Sequence, residues 1–168
     1  MAIIKGGAMM LFIEVEGGKY KSIAQATNHT LTISADTADT SSKDNGGGLW
    51  QTSEINTMNW TCNSENLLCD VSEGVTFAEL FTYMTSKKKI KAVFGLRENW
   101  NQVGGDAPVQ VPAESGGWEP NKGTSAPFEA LTGEMFITNL TQNAPNGDNA
   151  TFTVDFTGNG ALTKYTAA

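Results

Sequence analysis

Few residues that do chemistry in proteins occur here in a usable pattern. Glu14 and Glu16 stand two apart in MMLFIEVE, so a strand there puts both carboxylates on one side. Paired carboxylates hydrolyse glycosides when they face each other across a cleft of suitable width, but two neighbours on one strand face are more commonly a solvated surface. The single histidine, His29, shares a strand face by alternation with Leu31 and Ile33, which points to a structural place at a strand end. No Ser-His-Asp or Cys-His set can be assembled around it. Cys62, Cys69 and that histidine do not make a four-ligand zinc set at a recognised spacing. Gly46, Gly47 and Gly48 are followed neither by Gly-Lys-Ser/Thr nor by a helical pattern, so they do not form a phosphate loop. Lys87, Lys88 and Lys89 close a helical pattern and complement the negative end of its dipole, a better account of them than an anion site. The expectation is a chain without enzymatic activity, metal or cofactor.

The elements that position these residues read mostly as strands. At 168 residues the chain is long enough for one domain with its own core, and residues 1–168 show no linker or internal repeat. A formal net charge of -7 argues against tight binding to a phosphate backbone, which depends on Lys and Arg. Only 17% of residues are charged, and Thr, Asn and Gly are abundant, the balance of a Thr-rich β protein. The N-terminal residues lack a basic region followed by a long apolar stretch, so no secretory signal is expected, and no segment approaches the length of a membrane span. A cytosolic origin makes Cys62 and Cys69 free thiols rather than a disulfide.

Two strand-like runs, Ala8 to Glu16 and Lys19 to Ala24, are joined by Gly17-Gly18 at the spacing of a tight hairpin. NHTLTISAD alternates Leu31, Ile33 and Ala35 against Thr30, Thr32 and Ser34, as in a half-buried strand. A fourth strand runs from about Glu54 to Asn63, with Ile55, Thr57, Asn59 and Thr61 set against Met58, Trp60 and Cys62. TFAELFTYMTSKKK is the one helix: Thr76 and Glu79 form a capping box, and Phe77, Leu80, Phe81 and Met84 form one apolar stripe that must pack on a sheet. IKAVFGLR, Glu134 to Leu140 and Thr151 to Thr157 return to β structure, giving about seven strands.

Two long loops interrupt this pattern, at about 38–52 and 98–127. The first contains SSKDNGGGLW, where three glycines in succession would weaken any strand and suit a place where another backbone comes close. The second holds Trp100, Trp118 and a possible short strand at Val109 to Val111. Tryptophans and glycines in long loops of a chain without chemistry point to association with a partner or with itself. One alternative is a β-sandwich binding module for carbohydrate or protein, with Trp100 and Trp118 as its stacking platform.

The order of these features resembles a known family. ISADTADTSSKDNGGGLWQTSEINTMNWTCNSENLL is similar to the signature of the major tail proteins, the tail tube subunits of long-tailed bacteriophages, with Lys43, Asp44, Gly46, Gly47 and Trp60 at the motif positions. ALTGEMFITNLTQNAPNGDNATFTVDFTGNGALT resembles the family's C-terminal part and closes on Gly158, Gly160 and Leu162. The likeness covers most of 28–97 and 128–165; 98–127 does not follow the pattern. The resemblance implies a mainly β, sandwich or barrel-like tail tube fold with one flanking helix, related to the tube of type VI secretion. It implies a structural virion protein located in the tail and assembled in the bacterial host cytoplasm. Its copies would form hexameric rings that stack into a hollow tube through which phage DNA passes without tight binding. Expected partners are further copies of the chain, a tape measure, a tail terminator and baseplate or distal tail proteins. Lys43, Asp44, Gly46, Gly47, Gly48 and Trp50 would form an inter-subunit loop, with Trp100 and Trp118 in a secondary contact loop. Six copies at -7 each would carry on the order of -40 charges per ring, screened by salt beyond about 8 to 10 Å.

Overall fold

The computed structural model describes residues 3–16, 19–23, 25–44, 50–68, 74–96, 100–102, 118–120 and 130–165. Its strands are β1 (Met9–Glu16), β2 (Lys19–Ser22), β3 (Ala26–Asp39), β4 (Ser53–Leu67), β5 (Ile90–Leu96), β6 (Trp100–Gln102), β7 (Trp118–Pro120), β8 (Leu131–Asn143) and β9 (Thr151–Lys164), with one helix, α1 (Phe77–Thr85). The chain is mainly β. These strands form one sheet in the order β3-β4-β9-β8-β5-β1-β2-β7-β6, and every ladder in it is antiparallel.

Alternation decides which side of each strand is buried. Leu11 and Ile13 of β1, Ile90 and Ala92 of β5, Met135 and Ile137 of β8, and Phe152, Val154 and Phe156 of β9 meet Trp60 and Cys62 of β4 in one core, which Val75 and Leu80 close from the helical side. The sheet curls over itself: His29 of β3 reaches Phe94 of β5, four strands away in the order, edge to face at 6.5 Å. A smaller cluster of Phe12, Tyr20, Val93 and Ala130 fills the opposite side of β1 and β5. Two polar side chains enter the interior as a satisfied pair: Ser64 donates to Asn66 Oδ1 at 2.8 Å, and Asn66 Nδ2 donates back to the Ser64 carbonyl at 3.1 Å.

Helix α1 begins at the expected capping box: Glu79 N–H donates to Thr76 Oγ1 at 3.4 Å, and Thr76 N–H donates to Glu79 Oε2 at 3.0 Å. It ends with Lys87 at positive φ, where the Lys88 N–H reaches the Tyr83 carbonyl at 3.0 Å and the Lys87 N–H reaches Met84 at 3.1 Å. The expected single apolar stripe is corrected. The helix seats on the sheet through Phe77, Leu80 and Tyr83, an arc centred on Leu80, with Phe77 edge-on to Phe152. Phe81 lies about 100° round from Leu80 and stays 56% exposed, and Met84 in the last turn is also exposed.

Two other expectations change. The stretch 98–127, read as nearly structureless, contributes β6 and β7, which pair with each other and, through Tyr20 opposite Trp118, with β2; Val109 to Val111 lies outside the described residues. The strand count among the described residues is therefore nine rather than seven. In β4, the register shifts between Asp36 opposite Thr57 and Thr37 opposite Ile55. This bulge moves Ile55 away from the face of Thr57, Asn59 and Thr61 and onto that of Met58 and Trp60.

Candidate assembly surfaces

Three features of the molecule bear on assembly. The first is an arm. Strand β4 pairs with β9 only over Thr61 to Leu67, so its first eight residues pair with β3 alone. At about 3.3 Å per residue this two-stranded extension is roughly 25 Å long. Beyond the strands the ladder continues: Thr40 N–H donates to the Thr52 carbonyl at 2.8 Å, and Thr52 N–H donates to Ser41 Oγ at 2.9 Å. Ile33, Ile55 and Met58 are 51%, 63% and 68% exposed on one face of this arm.

That exposure overturns the expectation that Ile33 and Ala35 lie on a buried face. Their alternation is correct, but the core ends before they do.

Of the expected loop residues, Lys43 and Asp44 form an exposed turn towards the tip of the arm, and Trp50 is 82% exposed on the returning side. Gly46, Gly47 and Gly48 lie outside the described residues. Trp100 and Trp118 stand in β6 and β7, opposite Pro120 and Gln102, at the other end of the strand order from the arm. The two loops are therefore not joined in one stretch of sheet.

The second feature is the outward face of β3, β4, β9 and β8. Cross-strand pairs place Thr30, Thr32, Thr61, Asn63, Asp155 and Thr157 side by side along a shallow groove. Asp155 accepts from the side-chain amides of Asn63 and Asn139, the latter at 3.2 Å, and Thr157 Oγ1 donates to Thr138 Oγ1 at 3.3 Å. On the outward side of the rungs from Asp36 opposite Thr57 to Glu65 opposite Asn28, continued across β9 and β8, there is no Lys, Arg or His, while Asp36, Glu65 and Asp155 supply carboxylates; His29, opposite Ser64, turns to the inner side. This face is broad, hydroxyl-rich and free of cations.

The third feature ties the two resemblance motifs together. The Trp60 indole is 5% exposed and lies over the backbone of β8 and β9. Its Nε1–H donates to the Gly160 carbonyl at 3.1 Å. A methyl group built on Gly133 would stand 2.6 Å from Trp60 Cζ2, and one on Gly158 would overlap Nε1, Cε2 and Cδ2 more severely. Gly160 has φ +83°, a conformation that excludes most side chains. Trp60, Gly158 and Gly160 are thus one packing unit, and Leu162 packs beside it.

The residues first considered for chemistry stand apart. Glu14 pairs with Lys91 at 3.9 Å. Burial lowers the His29 pKa from 6.5 to about 4, and its Nδ1 has no hydrogen-bond partner. Cys62 is a free, buried thiol whose pKa burial raises to about 12, while Cys69 lies outside the described residues. Among the described residues, no group of three or more His, Cys, Asp or Glu could hold a metal ion. No described helix is long and apolar enough to cross a membrane.

The fold defines a class: a curled antiparallel sheet with one capping helix and a long projecting hairpin. Among solved structures it is similar to a chain in the tail of an empty gene transfer agent particle, determined by helical refinement with C6 symmetry, at 14% identity and a TM-score of 0.67; the match covers 97% of this chain and 99% of that one. It is also similar to a chain of the native gene transfer agent virion at 12% identity and a TM-score of 0.66, covering 96% and 98%. No family model and no curated protein matches the sequence. The chain shares the fold of a chain in the tail of a gene transfer agent particle.

Proposed function

We propose that this protein is a tail tube subunit, whose copies close into hexameric rings that stack into a hollow tube for DNA passage. The observation that carries the reading is the two-sided sheet β3-β4-β9-β8, one side packed in the core and the other, from the Asp36 rung to the Glu65 rung, hydroxyl-rich and free of cations. A face turned to the lumen must not hold phosphates as DNA passes, and Thr, Asn and a few carboxylates meet that requirement where Lys or Arg would not. The likeness to tail chains across nearly the whole length supports the same reading. The arm, with Lys43, Asp44 and Trp50 near its tip, is suited to reach a neighbouring copy. A tape measure, a tail terminator and distal tail proteins would then meet the ends of the tube. The protein acts by assembly rather than by catalysis.

Negative-stain electron microscopy of the purified, concentrated protein tests this, with Gly46→Val/Gly47→Val as the comparison. Hollow tubes or six-fold rings from the parent, and folded monomers from the variant, are expected. A parent that remains monomeric at every concentration overturns the assignment, and intact tubes from the variant remove the loop from the interface.

A further inference from the structure

The arm and the helix carry complementary surfaces that nothing within one copy brings together. Along the arm, Ile33, Ile55 and Met58 form an exposed apolar stripe. Asp39 shares that face of the ladder, and Asp36 and Glu54 lie on the reverse. From 32 to 58 the arm holds Asp36, Asp39, Asp44 and Glu54 against Lys43 alone. Elsewhere on the fold, α1 leaves Phe81 and Met84 exposed. Immediately beyond them come Lys87, Lys88 and Lys89, all exposed, with Lys88 Nζ held 4.7 Å over the Tyr83 ring. In a chain of net charge -7 this is a concentrated positive patch beside an apolar one.

We infer that the acidic, apolar arm of one copy docks on the α1 surface of the next, its apolar stripe against Phe81 and Met84 and Asp39, on the same face, against Lys87, Lys88 and Lys89. This rests on the tube reading above and assigns the contact that drives it. Two different patches of one chain meeting each other make a heterologous interface, the kind that propagates around a ring or along a filament, whereas a patch meeting its own copy stops at a dimer. Opposite charges on the two patches steer the encounter, and the apolar residues supply the burial.

Charge reversal tests it. In one variant Lys87, Lys88 and Lys89 become Glu; in the other Thr37, Asp39 and Ser53, all exposed on the face of the stripe, become Lys. All six residues sit on the surface, so each variant should keep the parent's circular dichroism. Each variant alone should need more than about tenfold higher concentration to assemble, because like charges then face each other. An equimolar mixture of the two should assemble as the parent does, since every arm then finds an oppositely charged helix surface on the other variant. Tubes from either variant alone at parental concentrations overturn the inference and leave the tube reading standing, as does a mixture that fails when the parent succeeds. A parent that never assembles overturns both.

Discussion

Replacing Gly158 by Ala tests the packing unit that joins the two ends of the sequence. The added methyl would overlap three atoms of the Trp60 indole, which is buried and tethered by its hydrogen bond to Gly160. Overpacking of this kind costs about 1–3 kcal/mol, and displacing the indole from its acceptor adds about 1 kcal/mol. The lower entropy of an unfolded chain with Ala in place of Gly raises its free energy and offsets some ~0.5 kcal/mol of this. A net loss of about 2–3 kcal/mol lowers the midpoint of thermal unfolding by roughly 5–10 °C for a domain of this size. Urea denaturation below the concentration of assembly, followed by tryptophan fluorescence and circular dichroism, measures it. Gly7→Ala is the control, because a methyl there meets nothing within 4 Å. A double-mutant cycle with Trp60→Leu identifies the partner: with the indole gone, the cost of Gly158→Ala should shrink by at least about 1 kcal/mol. A Gly158→Ala protein within about 0.5 kcal/mol of the parent, or the same cost in both backgrounds, would refute the reasoning.

Two further perturbations follow from single groups. His29 has its pKa lowered from 6.5 to about 4, so the unfolded state takes up a proton first. Its contribution to stability is complete above pH 6.5 and is lost as pH falls towards 4, up to about 3 kcal/mol by linkage. The difference in unfolding free energy between the parent and His29→Leu should therefore change across that window and be flat above it; a constant difference from pH 7 to 4 contradicts the assignment. Thr76→Ala removes the side-chain half of the capping box and should cost about 1 kcal/mol, read as a shift in the denaturation midpoint without a change in slope.

How far sequence alone reached is clearest in particular elements. The alternation of Phe152, Val154 and Phe156, the hairpin across 17–18 and the capping box of Thr76 and Glu79 are local signals, and the structure realises each of them. They were legible because strand and helix periods, turns and caps depend on neighbours within a few residues. The order of Trp60, Gly158, Gly160 and Leu162 was legible only as a resemblance. Their physical reason, an indole lying on glycine backbone, needs two segments about a hundred residues apart to be adjacent.

Sequence by itself determined the mainly β class, the capped helix at Thr76 and the anionic balance. Tertiary structure alone decided which alternating faces are buried. Ile33 and Met58 carry the same pattern as Leu31 and Cys62, yet the first pair lies bare on the arm and the second faces the core. Phe81 belongs to the same helical stripe as Leu80, yet it turns to solvent. Periodicity records which side a residue points to, whereas burial depends on how far the opposing strands and helix extend, and that extent is set only when the whole sheet has curled around its core.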